Sequence, residues 1–157
     1  MNTCDLCDAF EDRVRVLELP LRDYGGRVAF SGTVSTVRAL EDNSLVREAV
    51  AEPGEGRVLV VDGGGSPRRS MLGDMLAEKA VANGWAGVVV HGAIRDSRAI
   101  GALDLGVKAL GTCPRKTDKH GQGLRDVQLE FGGLVIRPGD WLAADEDGVI
   151  LSDAPLA

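Results

Sequence analysis

Val58-Leu59-Val60-Val61-Asp62-Gly63-Gly64-Gly65-Ser66-Pro67 and, further on, Ala86-Gly87-Val88-Val89-Val90-His91-Gly92-Ala93-Ile94-Arg95-Asp96 decide the fold. Each is a continuous apolar, largely β-branched run that stops at a glycine-containing loop, the pattern of a strand covered on both faces. Between them Met71, Leu72, Met75, Leu76, Lys79, Ala80 and Asn83 recur at helical spacing, and Gly84 stands where a helix C-terminus takes a left-handed residue. Strand, glycine loop, helix, strand and loop make a βαβ unit with a parallel pair. Ligands of such folds sit at the loops leaving the carboxyl ends of the strands.

Outward from this unit the signals are shorter. Cys4 to Phe10 has helical spacing, Val14 to Leu19 alternates as a half-buried strand, and Tyr24-Gly25-Gly26 is a turn. Val28 to Val37 reads as a strand with a bend or bulge at Gly32. Asp42-Asn43-Ser44 offers caps for a helix through Val50, which Pro53-Gly54 ends. Arg98 to Leu103 is a short helix, Val107 to Leu110 a strand, and Thr112 to Leu124 a polar loop suited to a lid. The rest alternates strands and turns from Val127 to Leu151. With no repeat or linker, residues 1–157 are expected to form one α/β domain with mixed parallel and antiparallel strands.

The composition excludes several classes. Lys and Arg number 18 against 24 Asp and Glu, a net charge of −6, and aromatic residues are 4% of the chain. The basic footprint and stacking platforms of a nucleic-acid binder are missing. No apolar stretch approaches the roughly 18 residues of a membrane helix, and the start Met1-Asn2-Thr3-Cys4-Asp5 lacks a signal peptide's basic and apolar regions, so a cytoplasmic protein is expected. Cys4-x-x-Cys7 has no second such pair and no nearby His, and with Cys113 is read as ordinary free thiols.

Four places invite chemistry. The loop Asp62 to Ser66 resembles an anion cradle but lacks the Gly-Lys-Ser/Thr of a Walker loop and a clear GxGxxG, so a tight strand-to-helix turn is preferred. His91 at a strand end reads first as a hydrogen-bonded structural residue, and Arg115-Lys116-Thr117-Asp118-Lys119-His120 as a solvated basic loop. The strongest candidate combines Gly73-Asp74, at the start of the βαβ helix, with Arg95-Asp96, just beyond the second strand. Asp96 would be a hard oxygen ligand for Mg²⁺, Arg95 a bidentate fork for a carboxylate, and Asp74 the holder of a water that carries a proton. Backbone N–H groups of Met75 and Leu76 would add an anion site. The spacing recurs from Asp104 to Arg125-Asp126, but that copy lacks the strand-and-helix context and is set aside.

These segments, together with Phe131-Gly132-Gly133, Pro138-Gly139-Asp140 and Asp145-Glu146-Asp147-Gly148-Val149-Ile150, resemble the regulator of ribonuclease activity A family nearly end to end. That family shares its fold with the class II 4-hydroxy-4-methyl-2-oxoglutarate/4-carboxy-4-hydroxy-2-oxoadipate aldolases. The resemblance implies a swivelling β/β/α domain, a homotrimer or dimer of trimers, and an active site between subunits. The aldolase signature Asp-x20-Arg-Asp falls on Asp74, Arg95 and Asp96. By resemblance Asp96 ligates Mg²⁺ or Mn²⁺, Arg95, Gly73 and the amides of Met75 and Leu76 hold the pyruvyl part, and Asp74 positions the proton-carrying water. Members that only inhibit ribonuclease E often lack parts of this signature. Longer aldolases carry a C-terminal acidic residue that reaches the neighbouring subunit's metal, and the sequence to Ala157 has no counterpart.

The expectation is therefore a divalent-metal-dependent retro-aldolase that cleaves a 2-oxo diacid to pyruvate and also decarboxylates oxaloacetate. The alternative is a non-catalytic inhibitor of ribonuclease E whose acidic surface meets an Arg-rich partner. A menaquinone-pathway methyltransferase is rejected, because the glycine loop lacks the acidic ribose ligand that should follow.

Overall fold

The computed structural model describes residues 1–156. Four parallel strands form its centre: β3 (Phe30–Arg38), β4 (Val58–Asp62), β5 (Gly87–Ile94) and β6 (Gly106–Thr112). Along β4 the pleat sends Leu59 and Val61 to one core and Val58 and Val60 to another, all four fully buried. The run is unbroken because both faces are covered. Helices α2 (Ser44–Val50) and α3 (Asp74–Ala82) pack on the first face; the hairpin of β8 (Leu129–Phe131) and β9 (Leu134–Ile136) covers the second.

The remaining strands extend the same sheet. The helix α1 (Thr3–Ala9), capped reciprocally by Asn2 and Asp5, precedes β1 (Arg15–Val16) and β2 (Arg22–Asp23). A four-residue helix, α4 (Ser97–Ile100), links β5 to β6. Short β7 (Leu124–Arg125) pairs with β3, and β10 (Trp141–Asp145) and β11 (Gly148–Ser152) return antiparallel to close the order β1-β11-β10-β3-β4-β5-β6-β2. The expected α/β class and mixed pairing are thus observed. The tail contributes both to the unit's own sheet, through β10 paired with β3, and to the separate β8–β9 hairpin beside it.

The sheet curls on itself. Lys108 on β6 is 2% exposed, lies 3.1 Å from Asp23 Oδ1, and donates to the carbonyl oxygen of Asp145 on β10, four strand positions away. Gly87 and Gly106 leave room for the Phe30 ring inside the curl, since a Cβ on Gly106 would stand 2.1 Å from it.

Three expectations from sequence shift. Only Arg15 and Val16 of the Val14 to Leu19 run are strand. Helix α3 begins at Asp74, and Met71 and Leu72 lie in an extended segment before it. Its backbone is claimed by β5, Met71 N–H donating to Ala93 O at 2.9 Å and Arg95 N–H to Leu72 O at 2.9 Å, and burial of both side chains overrides their helical spacing. The third shift is the helix read from Arg98 to Leu103, which is reduced to Ser97–Ile100. Gly84 does take the left-handed position after α3, with φ +79°.

Removing a buried cation leaves its carboxylate partner and a carbonyl unpaired. Lys108→Ala should lower unfolding free energy in urea by about 3–5 kcal/mol, whereas Arg27→Ala, which breaks an exposed pair with Asp104 at 3.0 Å, should cost about 0–1 kcal/mol.

Candidate functional site

The chain leaves β4 at Asp62, while β5 runs on to Ile94. The connecting segment returns along this overhang, Ser70 bridging to Ala93, so that Gly73 arrives beside Arg95 and Asp96. Asp96 takes a left-handed conformation (φ 56°, ψ 40°) tolerated by Asp, which turns its carboxylate back toward α3. Asp74 N–H donates to Asp96 Oδ2 at 3.0 Å, and Arg95 Nε lies 4.0 Å from the same oxygen. A Cβ on Gly73 would stand 3.0 Å from Asp96 Oδ2 and 3.3 Å from Arg95 Nε, so glycine permits this approach.

Gly73 also caps α3 without a side-chain hydrogen bond. Met75 and Leu76, at the second and third helical positions, therefore point their N–H groups outward without a carbonyl one turn earlier to accept them. A helix start in that condition attracts anions. Gly73, Asp74, Met75, Leu76 and Arg95 share one cavity of about 360 Å³. The structure thus brings together every residue that the sequence singled out here, with Asp96 at its edge through Asp74.

Asp96 suits a hard cation. It is partly exposed, and one of its oxygens serves the Asp74 amide while the other receives no hydrogen bond among the described residues. No group of three or more His, Cys, Asp or Glu placed to hold a metal occurs among the described residues. An ion at Asp96 would keep one or two protein carboxylates and complete its shell with water and substrate oxygens, as Mg²⁺ does.

The same cavity is lined by Asn43, Arg47, Lys79, Lys116 and Lys119, which the sequence did not assign to a site. Lys116 and Lys119 belong to the polar loop expected as a solvated patch or lid. The loop is instead strapped down: Ser70 N–H donates to Arg115 O at 2.7 Å, and Thr117, 2% exposed, donates to Asn43 Oδ1 at 2.7 Å. His120 and Gln122 N–H groups donate to Asp42 Oδ2 at 2.9 and 3.1 Å. Burial would raise the Asp42 carboxyl, but hydrogen bonds from Ser44, Gln122 and His120 outweigh it and bring it from 3.8 to about 2.

The other candidates resolve as structure. In the glycine loop Gly63 and Gly65 N–H both donate to His91 O at 3.0 Å, and Gly64 N–H to Asp62 Oδ1 at 2.9 Å, so these amides are spent. His91 Nδ1 pairs with Asp62 at 2.9 Å and its ring stacks on Phe131 at 4.5 Å. Burial pushes the Asp62 carboxyl up, yet the His91 and Gly64 hydrogen bonds leave it lowered. The second Asp-to-Arg-Asp spacing is dispersed into ion pairs, Asp104 with Arg27 and Arg125 with Glu52 and Asp126. Cys4, Cys7 and Cys113 are free.

A family model described as RraA-like, Aldolase/RraA, matches residues 3–151. An Alkalilimnicola ehrlichii protein named "Putative 4-hydroxy-4-methyl-2-oxoglutarate aldolase" is 59% identical over 150 residues, covering 96% of this chain and 93% of the relative. A Geobacillus kaustophilus structure described as S-adenosylmethionine: 2-dimethylmenaquinone methyltransferase superposes with a TM-score of 0.98 at 54% identity, over 99% of this chain and 97% of that one. The RNA-processing inhibitor RraA from Thermus thermophilus gives 0.96 at 44% identity, over 100% and 95%. No helix is long and apolar enough to cross a membrane among the described residues.

Asp42 is lowered on folding, so its contribution is complete above pH 3.8 and is lost as pH falls toward about 2. At neutral pH, Asp42→Ala should therefore release the strap. Hydrogen exchange at the His120 and Gln122 amides should rise about 10-fold or more while β4 and β5 amides stay protected.

Proposed function

The chain belongs to the RraA-like family, and from that premise we propose that it is an aldolase cleaving 4-hydroxy-4-methyl-2-oxoglutarate-type 2-oxo diacids to pyruvate and a second 2-oxo acid. The observation that carries this reading is the meeting of Arg95, Asp74 and Asp96 at the uncapped start of α3, with Arg95 and Asp74 on the wall of one cavity and Asp96 at its edge. That arrangement serves a 2-oxo acid head. Arg95 pairs with its carboxylate, and the amides of Met75 and Leu76 add donors that require no reorganisation.

Retro-aldol cleavage removes the proton of the 4-hydroxyl, breaks the bond between C3 and C4, and leaves the electron pair on pyruvate as an enolate. A proton then returns to C3. Asp74 stands at the cavity wall, where its carboxylate can pass that proton through a water, and Arg95 offsets the enolate's charge. Asp96 would hold Mg²⁺ or Mn²⁺, which when bound supplies a Lewis acid at the 2-oxo group. The same stabilisation serves oxaloacetate, whose decarboxylation also yields the pyruvate enolate, so this side activity belongs to the proposal.

Assembly as a trimer is part of the same reading. Met75, on the cavity rim, is 77% exposed, an apolar side chain suited to cover by a second copy. A second reading, inhibition of ribonuclease E by docking, is favoured by the likeness to the Thermus RNA-processing inhibitor and by the net charge of −6. Methyl transfer is disfavoured, since the amides of the glycine loop are engaged by His91 and Asp62.

Pyruvate release from both substrates, measured with Mg²⁺, tests the aldolase. Asp74→Asn and Arg95→Ala should each lower kcat/KM about 100-fold or more. Folded, Mg²⁺-supplied protein that turns over neither substrate above buffer would reject it; capture of the ribonuclease E C-terminal region, unchanged in Arg95→Ala, would then favour docking.

A further inference from the structure

The glycine loop and His91 have no part in the proposed chemistry, yet they meet at an irregularity of β5. Against β6 the register runs Val90 with Ala109 and then Ala93 with Gly111, so that His91 and Gly92 together face Leu110. This is a β-bulge, a device that bends one strand and re-aims the side chains beyond it. It falls where β4 ends, since Asp62 is the last residue of β4 and pairs with His91. Arg95 follows His91 by four residues on the same chain, so its direction depends on how the bulge is held.

The loop holds the bulge through both main chain and side chain. Gly63 and Gly65 N–H donate to the His91 carbonyl, each at 3.0 Å, which closes the loop over the bulge. Asp62 Oδ1 accepts from Gly64 N–H at 2.9 Å and faces His91 Nδ1 at 2.9 Å. Burial raises the Asp62 carboxyl, but these two hydrogen bonds outweigh it, so the group is ionised near neutral pH, and His91 Nδ1 is the donor. Phe131 fixes the ring by stacking at 4.5 Å. Gly65 has φ +72°, and a Cβ there would stand 3.1 Å from His91 Nε2, so the loop passes this close only as glycine. Beyond the bulge, β5 exchanges β4 for the segment before α3, Met71 N–H donating to Ala93 O and Arg95 N–H to Leu72 O.

We propose that the glycine loop and the Asp62–His91 pair form a clamp on the β5 bulge that aims Arg95 into the cavity, His91 being a positioning residue for the reaction. This rests on the aldolase reading for what Arg95 does, and on the hydrogen bonds alone for where Arg95 lies. A slip of one residue beyond the bulge would turn Arg95 to the opposite face of the sheet. The clamp opposes that slip, because moving the His91 carbonyl breaks two loop hydrogen bonds and moving its ring breaks the bond to Asp62. The glycine loop, which resembles an anion cradle, thus spends its amides on strand geometry instead of on a ligand.

The test separates the hydrogen bond from the stack. His91→Phe keeps a ring on Phe131 and loses the donor to Asp62, whereas His91→Asn keeps an N–H donor near the place of Nδ1 and loses the ring. With Mg²⁺ present, His91→Phe should lower kcat/KM for pyruvate release about 10-fold and raise hydrogen exchange at the Gly65 and Arg95 amides about 10-fold, the Leu59 to Val61 amides staying protected. His91→Asn should bring both back toward native values even where its thermal midpoint is lower, a split that a merely structural residue does not give. Asp62→Ala removes the acceptor from the other side and should reproduce the His91→Phe result, so the test does not depend on one variant folding. Should the native chain turn over neither 4-hydroxy-4-methyl-2-oxoglutarate nor oxaloacetate, while exchange at Arg95 still follows the donor, the aldolase reading falls and the clamp stands. If turnover is present but both His91 variants lose it in step with their thermal midpoints, the clamp is overturned and the aldolase remains. Unchanged Arg95 exchange in both His91→Phe and Asp62→Ala likewise overturns it.

Discussion

The length of β5 relative to β4 is the constraint on which the rest depends. The two strands pair from Val58 with Gly87 to Asp62 with His91, and β5 then continues to Ile94 beyond its neighbour's end. The overhang is paired with β6 on one side, and its other edge, left open by β4, must find hydrogen-bond partners. The segment before α3 provides them through Ser70, Met71 and Leu72, and this fixes where α3 starts. With Leu72 bonded to Arg95, Gly73 can only lie against Asp96. The candidate site is thus a consequence of strand register, and its precision comes from sheet hydrogen bonds.

This explains what could be read in advance. The βαβ unit, the Gly84 stop and the meeting of Asp74 with Arg95 and Asp96 follow from local patterns and one parallel pair, and all are present. The recurrence at Asp104, Arg125 and Asp126 showed that spacing without that context is empty, and those side chains are spent in surface ion pairs. Met71 and Leu72 misled because an extended segment buried between a strand and a helix carries the same apolar residues as a helix face.

The loop cations of the cavity were hidden for a different reason. Lys116 and Lys119 sit in a polar segment with no period, and their place is set by Asp42 and Asn43, more than seventy residues earlier. Those two read as helix caps. Asp42 does accept from Ser44 N–H at 2.9 Å, but its second oxygen binds the strap, a role that no local pattern encodes. One buried carboxylate therefore joins the start of α2 to the loop that closes the cavity.

What distinguishes a functional cation from a structural one in this molecule is the company it keeps. Lys108 is the most deeply buried base, yet Asp23 and a backbone carbonyl satisfy it, and its work is to hold the curl of the sheet. Arg15 is divided between Asp140 and Asp153, Arg27 is held by Asp104, and Arg125 by Glu52 and Asp126. Around the candidate cavity, by contrast, Arg47, Lys79, Lys116 and Lys119 are gathered on one wall with no ion-pair partner among the described residues. Their net positive field, set in a negatively charged surface, directs an anion toward the start of α3 before any specific contact forms.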